Sequence, residues 1–471
     1  MKSRLKLWLG GSALVLVLLV LVAPVAVGTM SEHRYKALWA NALDSEPGYQ
    51  AEVVEYDRGW FNARSRVRIE VSDPMASEWL LEFGMAEAGP GDTALVYLEE
   101  RIHHGPFPIS SAAPLDQRLK PGFAVVDTRP ASELPFFRDN DIFVISSTRL
   151  GLFGGVDGFL RAMPFDVHVG DGLRLVNEGV IRVEIQSNLK FERIRSRMGS
   201  DELRLEDSQF GGVILEGFDG RSDQRRGPAQ LWLGEVEFGL DSVRTLGSDP
   251  AFELRDFAWS ALTDNREDFL VQNHTVDIGA IAGPALEVGP ISVDYDLFNL
   301  HPQALADLQL AFAEAPALDE DSVEAAGDSF SDHWLDALLE VALHRPGSTL
   351  NSMDTRLFDD SISGAGEIQL RPLSREQLET YLNEDRFGRL ANGHGRLSTS
   401  RALLQRLFAN SMMGVAADEE LDENTKTMVD QQIDGFINQG MLRETDAGLL
   451  ELHVELEDGV LRLNGDEMMH F

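Results

Sequence analysis

Phe61–Val71 reads FNARSRVRIEV. Phe61, Ala63, Ser65, Val67, Ile69 and Val71 fall on one face, and Asn62, Arg64, Arg66, Arg68 and Glu70 on the other. A period of two means a half-buried strand. Three arginines in register are a candidate anion site. The commoner use of such a row is a solvated sheet face paired with acids on the next strand, and the chain holds 78 Asp and Glu.

Working outward, Gln50–Tyr56 begins the β structure, and short strands separated by Gly, Asp and Asn turns run from Leu119 to about Asn299. They include Leu173–Val176, Val180–Ile185, Leu189–Ile194, Leu203–Leu205, Val213–Phe218, Leu231–Leu240, Phe252–Trp259 and Ile291–Leu297. Such a meander builds a large antiparallel sheet. Gly151–Gly158 is glycine-rich but lacks the Lys-Ser/Thr of a phosphate-binding loop, so it reads as a plain loop.

Helices enter at His301. Pro302–Ala315 carries Leu305, Leu308 and Phe312 on one face. Ser329-x-x-Asp332 resembles a capping box for Asp332–His344, and Ser374-x-x-Gln377 caps a further helix. Arg401–Met413 and Leu421–Gln439 follow, with Gly440 as a stop. Leu449–Leu456 and Val460–Leu463 meet across an Asp-Gly turn. The expected fold class is α+β and β-rich: an N-terminal transmembrane helix, then a large curved antiparallel sheet with helices from the C-terminal third packed on one side. The expected organisation is an anchor over residues 1–30, a juxtamembrane helix over 31–48 and a β-rich region over 49–300. Residues 301–471 continue the same body as an α+β region, and Leu318–Gly327 is an acidic linker.

At the N-terminus, Lys2, Arg4 and Lys6 precede 21 uncharged residues, Leu7–Val27. A helix of that length spans roughly 30 Å, the hydrocarbon thickness of a bilayer. The flanking cations place the remainder outside the cytoplasm. A cleaved secretory signal ending at Ala26-Val27-Gly28 is the alternative, and the length of the run favours the anchor. Met30–Leu43 has helical spacing, and its modest apolar set, Tyr35, Leu38 and Leu43, does not by itself demand a packing partner.

The net charge is −37, and the first 30 residues hold three cations, so the remainder carries −40. Such a field repels phosphate backbones and anionic headgroups, which argues against nucleic acid and against peripheral lipid binding. The same excess of acids is what salt adaptation would produce. The absence of cysteine excludes disulfides, thiolate metal sites and thiol nucleophiles.

Tyr56-Asp57-Arg58-Gly59-Trp60-Phe61, Ile102-His103-His104-Gly105-Pro106-Phe107-Pro108 and Gly459-Val460-Leu461-Arg462-Leu463-Asn464-Gly465 share an order and spacing with an anchored architecture. In this the chain resembles the YdgA family of bacterial inner-membrane-anchored proteins, which carry a domain of unknown function. The resemblance implies single-pass inner-membrane location with the bulk in the periplasm. It assigns no catalytic residues. Tyr56, Arg58, Gly59, Phe61, His104, Gly105, Pro106, Phe107, Asn464 and Gly465 are therefore read as structural motif residues. Gly59 supplies a tight turn or bulge with Tyr56, Trp60 and Phe61 packed around it. His103 and His104, adjacent on a strand, point to opposite faces and cannot chelate one ion together.

No nucleophile elbow and no metal-ligand spacing occurs, so no enzyme activity, cofactor or metal is expected. Three readings remain. One is a non-catalytic envelope protein handling a lipid or hydrophobic ligand on the sheet. The second is a homo-oligomeric or partner-binding assembly protein. The third is an envelope hydrolase using His104 with a nearby carboxylate.

Overall fold

In the computed structural model the described residues are 28–41, 43, 48–105 except 92, 108, 122–137 except 132 and 135, 143–169, 172–207, 211–247, 252–283, 287–313, 335–383 except 359, 386–413 and 421–471. The expected anchor, the Leu318–Gly327 linker, the Ser329–Asp332 cap, Pro106 and Phe107 lie outside them. Among the described residues no helix is long and apolar enough to cross a membrane.

The chain divides into two compact units, essentially residues 1–205 and 206–471, with short exchanges at 221–226 and 313–326. The first begins with helix α1 (residues 28–41), two residues upstream of the helix expected from spacing. Its strands are β1 (Tyr49–Arg58), β2 (Asn62–Val71), β3 (Glu87–Ala88), β4 (Ala94–His104), β5 (Ala124–Pro130), β6 (Val144–Leu150), β7 (Gly155–Ala162), β8 (Phe165–Val169), β9 (Leu173–Asn177), β10 (Ile181–Asn188) and β11 (Arg193–Asp207). Antiparallel pairing runs β1-β2-β4-β5-β6-β7-β10-β11, and the β8–β9 hairpin joins the same sheet through pairing of β9 with β11. Helix α2 (Pro74–Glu82) was not legible as apolar spacing. Asp73 caps it by accepting from the Ala76 N–H at 2.8 Å, with proline opening its first turn.

The core of this unit lies between α1 and the sheet. Tyr35 and Leu38 pack on Ala63, Val67, Ile102, Val126 and Leu150, all buried. These are alternate residues of β2, β4 and β5, so the period of two in Phe61–Val71 marks the covered face. The helix that sequence reading left without a demanded partner is thus the lid of a hydrophobic core. Phe61, placed by parity on that face, is an exception.

The second unit includes β12 (Gly211–Arg226, shared at its end with the first), β13 (Trp232–Leu246), β14 (Glu253–Arg266), β15 (Phe269–Ala282), β16 (Glu287–Leu300), β17 (Gly347–Leu357), β18 (Asp360–Leu370), β19 (Ala391–Ser400), β20 (Arg443–Glu444), β21 (Leu449–Glu457), β22 (Val460–Leu463) and β23 (Asp466–His470). From β13 to β19 each strand pairs antiparallel with the next. Then β19 pairs with β21, β21 with β22 and β22 with β23. Strands β13 to β16 are 14–15 residues long, far longer than the segments that alternation delimits. The discrepancy is local: the 213–218 and 252–259 alternations are interrupted by Gly217 and Asp256, both at positive φ, beyond which the same strands continue. Likewise Leu189–Ile194 is not a strand. Leu189–Glu192 forms a turn, and Arg193 opens β11.

Helices α3 (Pro302–Ala313), α4 (residues 335–343), α5 (Arg375–Asn383), α6 (Arg401–Met413) and α7 (Glu423–Asn438) belong to this unit. The capping box is present at α5, where the Ser374 N–H donates to Gln377 Oε1 at 2.9 Å and the Gln377 N–H to Ser374 Oγ at 3.3 Å. Helices α6 and α7 close a cluster of Ala409, Val429, Ile433 and Leu450 over β21.

Candidate functional site

Two regions carry chemistry or open surface. In the first unit, Glu100 of β4 points into the core and is 5% exposed. Tyr35, fully buried on α1, donates to Ser65 Oγ at 2.8 Å and also touches Glu100 Oε2. Ser65 spends its own proton on the Glu55 carbonyl at 2.9 Å, while Thr128 donates to Glu100 Oε1 at 2.9 Å. Trp39 Nε1 reaches Oε2 at 3.4 Å. One phenol proton cannot serve both Ser65 and a carboxylate. The chain Glu100–Tyr35–Ser65–Glu55 closes completely when Glu100 carries a proton and donates to the phenol oxygen. Burial raises the Glu100 pKa in the same sense and raises that of Tyr35, first by burial and then by the adjacent carboxyl.

The opposite face of the same strands bears the arginine row. Cross-strand register sets Asp57–Arg64–Arg101–Asp127 in one line and Glu55–Arg66–Glu99–Arg129 in the next. An open groove of about 850 Å³ runs over both lines. Arg68 pairs with Glu52 at 2.6 Å, Arg66 with Glu133, and Arg129 with Glu99 at 3.0 Å, which is the solvated ion-paired use of the row. Arg64 and Arg101 face each other across β2 and β4.

The motif residues gather at one end of this unit. The Tyr56 ring meets that of Tyr35 at 5.7 Å, and burial pushes its hydroxyl pKa up to about 12. Arg58 donates to Thr29 Oγ1 at 3.0 Å and Glu32 Oε2 at 3.4 Å, tying the β1–β2 turn to α1. The Gly59 N–H donates to the Asn62 carbonyl at 2.7 Å; a Cβ at Gly59 would sit 3.0 Å from that oxygen, so close approach and not positive φ calls for glycine. Trp60 and Phe61 do not pack around it, contrary to expectation: they are 53% and 52% exposed, because the turn lifts both side chains off the sheet before β2 resumes. Phe61 contributes its carbonyl, which accepts from the His104 N–H at 3.0 Å.

The adjacent histidines diverge as strand geometry requires. His103 lies 3.3 Å from Asp127 on the outer face, and His104 is 3% exposed on the inner one. Among the described residues neither ring nitrogen of His104 has a partner in good hydrogen-bond geometry, although the Asn62 and Gly59 backbone lies close, and burial, outweighing that backbone, holds its pKa below the ordinary histidine value. Gly105 follows at φ +140°, its N–H donating to the Phe123 carbonyl at 3.2 Å.

Asn464 and Gly465 lie in the second unit as the two central residues of the β22–β23 turn, at φ +51° and +94°. Positive φ at both is the type I′ signature that Asn-Gly satisfies. Asn464 also accepts from the His453 N–H at 3.0 Å and donates to the Gly440 carbonyl at 2.8 Å, which pins the end of α7 to β21. Of the motif residues, Tyr56, Arg58, Gly59, Phe61, His104 and Gly105 belong to the first unit and Asn464 and Gly465 to the second. Among the described residues no group of three or more His, Asp or Glu is placed to hold a metal ion.

A family model matches residues 5–470, taking in the strands and helices of both units. The chain belongs to DUF945, a bacterial family of proteins of unknown function. No curated protein matches this DUF945 chain.

What the motifs did not announce is the sheet face of the second unit. Register places Phe238, Trp259, Val276, Val293, Met353 and Gly364 in one line across β13 to β18. Leu397 and Leu452 continue it on β19 and β21. The line beside it holds Leu240, Phe257, Ile278 and Ile291. Phe218, Phe238 and Phe257 meet edge to face at 5.2 and 5.7 Å, and Trp259, His274 and Tyr295 stack at 6.0 and 4.7 Å. The reverse face carries Glu235, Glu237, Asp277, Asp294 and Asp354. The signal for this surface was the length of the alternation, which Asp256, at positive φ, interrupts in β14 without a shift of register.

Proposed function

We propose that this DUF945 protein is a membrane-anchored, extracytoplasmic, non-catalytic protein that takes the acyl chains of a lipid along the apolar face of its second unit. The observation that carries the reading is the apolar line from Phe238 to Leu452, which crosses eight strands with side chains half-buried and Leu397 40% exposed. At about 4.8 Å between strands the line is roughly 34 Å long, longer than a single acyl chain. The buried clusters of this unit border the line without including it: Leu233, Leu270 and Leu300 form one, and Ala409, Val429, Ile433 and Leu450 the other, Leu450 being on the same face of β21 as Leu452, two residues away. An amphipathic sheet face requires an apolar cover. The acids of the reverse face give a ligand no counter-charge, which favours hydrocarbon over a charged group as occupant. The anchor over Leu7–Val27 and the YdgA resemblance support a place in the bacterial inner membrane facing the periplasm.

The test is native mass spectrometry of detergent-extracted protein, with Val276→Asp and Val293→Asp in parallel. Co-purifying lipid lost in both variants, with the circular dichroism spectrum retained, is the expected result. Protein free of lipid that also fails to take up a fluorescent fatty acid would overturn the reading. A multiple subunit count without lipid would favour self-association through the same face.

A further inference from the structure

Four large apolar side chains stand in solvent at one end of the first unit. Trp60 and Phe61 occupy the β1–β2 tip at 53% and 52% exposure; Leu152 and Phe153 occupy the β6–β7 tip at 37% and 101%. Single exposed apolar residues are ordinary, but here two pairs stand on two tips at the same end of one sheet, with the ends of β4 and β5 between them. The start of α1 lies at that same end. Gly28 abuts the His104 ring, where a Cβ would come within 2.9 Å of Cε1. Thr29 accepts from Arg58 at 3.0 Å, beside the Trp60 tip. Ser31 donates to the Phe123 carbonyl at 2.9 Å, and the Arg34 guanidinium lies 4.3 Å over the Phe123 ring. Arg34 also approaches the Phe153 tip, with Nη1 3.8 Å from where a Cβ on Gly154 would stand. The chain thus enters the unit between the two tips, and what precedes Gly28 is the uncharged run Leu7–Val27.

We propose that this end of the first unit is a membrane-docking surface, with Trp60, Phe61, Leu152 and Phe153 seated in the interfacial layer of the bilayer that Leu7–Val27 enters. This rests on the anchor reading and not on the acyl-chain face. The occupant follows from geometry: a chain emerging from lipid directly into Gly28 holds whatever surrounds Gly28 against the headgroups. The residue types match, since tryptophan is favoured in the interfacial layer and phenylalanine in its apolar part. The β10–β11 turn joins the same end through the hydrogen bond from the Leu189 N–H to the Gly154 carbonyl at 3.0 Å, and its exposed Lys190 lies 3.9 Å from Glu192. The consequence is an upright first unit with β-strand tips towards the lipid.

The chain contains no cysteine, so single cysteines can be labelled without background. Full-length Phe61→Cys, Phe153→Cys and Met163→Cys proteins, each carrying an environment-sensitive fluorophore, would be reconstituted into phosphatidylcholine vesicles containing doxyl-labelled phosphatidylcholine. Met163 is 39% exposed at the far end of β7, roughly 25 Å from Phe153. All three substitutions replace exposed side chains, so folding is not at stake. The expected result is several-fold stronger quenching at 61 and 153 than at 163, in protein that co-floats with the vesicles. Co-flotation with equal, weak quenching at all three positions overturns the docking surface and assigns the four side chains to a protein partner. Failure to co-float overturns the anchor reading, and the docking surface with it.

Discussion

Both units are antiparallel meanders with one apolar face, yet they treat that face in opposite ways. In the first, α1 lies on it: Tyr35, Val67, Ile102 and Leu150 are completely buried, and even a carboxyl group is drawn inside. In the second, Phe238, Trp259, Val276 and Val293 are only half-buried, and α6 and α7 cover that face at one end, over Leu450. A strand pattern therefore decides which face is apolar, and a single helix decides whether that face is core or surface.

Substitution should separate the two. Tyr35→Ala deletes a fully buried ring and is expected to cost about 3–5 kcal/mol, read as a lower midpoint in urea denaturation. Trp259→Ala, on the open face, should cost less than half as much by the same measurement. Equal losses would mean that the second face is as sealed as the first.

Glu100 sharpens the contrast through pH. Its folded pKa is raised by burial, so its contribution to stability is complete below the unfolded carboxyl value and declines as pH rises towards the folded value. Glu100→Gln keeps a donor for the Tyr35 oxygen and an acceptor for Thr128, and should abolish that decline. Glu100→Ala leaves Thr128 and Trp39 without an acceptor and should cost roughly 2–3 kcal/mol at acid pH. A wild-type stability profile that does not fall from acid towards neutral pH relative to Glu100→Gln would show that the carboxyl is charged when buried.

His104 acts in the reverse sense. Its folded pKa is depressed by burial, so stability is complete above the unfolded histidine value and falls as pH drops towards the folded one. His104→Ala should cost about 1–3 kcal/mol at neutral pH through lost packing and flatten the profile between neutral and mildly acid pH. Stoichiometric zinc in washed protein, lost with that substitution, would contradict a structural imidazole.

The smallest effect belongs to the outer face. Arg64 and Arg101 are like charges directly opposite, so Arg101→Ala should raise stability by a few tenths of a kcal/mol, more at low salt. Arg129→Ala, which breaks the pair with Glu99, should lower it by about the same amount.

Much of this was legible in residues. The alternation of Phe61–Val71, the limits of Arg401–Met413, the capping box at Ser374 and the Asp458-Gly459 turn all rest on local chemistry, which sequence displays. The divergence of His103 and His104 followed from strand geometry alone. Long-range features were not legible. Nothing local told Tyr35 that Glu100, 65 positions on, would be its hydrogen-bond partner. Nor does alternation run unbroken past Asp256, whose positive φ interrupts β14. The exposed state of Trp60 and Phe61 ran against their hydrophobicity, because a two-residue lift at a turn overrides the parity of the strand that follows.

The order of pairing has a consequence for how the chain is made. From β13 to β19 each strand lies against the one synthesised just before it, and β22 and β23 do the same, whereas β21 returns to β19 across α6 and α7. A sheet built in this order grows from one edge as the chain is made. The edges of β16 and β19 wait longest, the first until β17 follows α3 and α4, the second until β21 arrives.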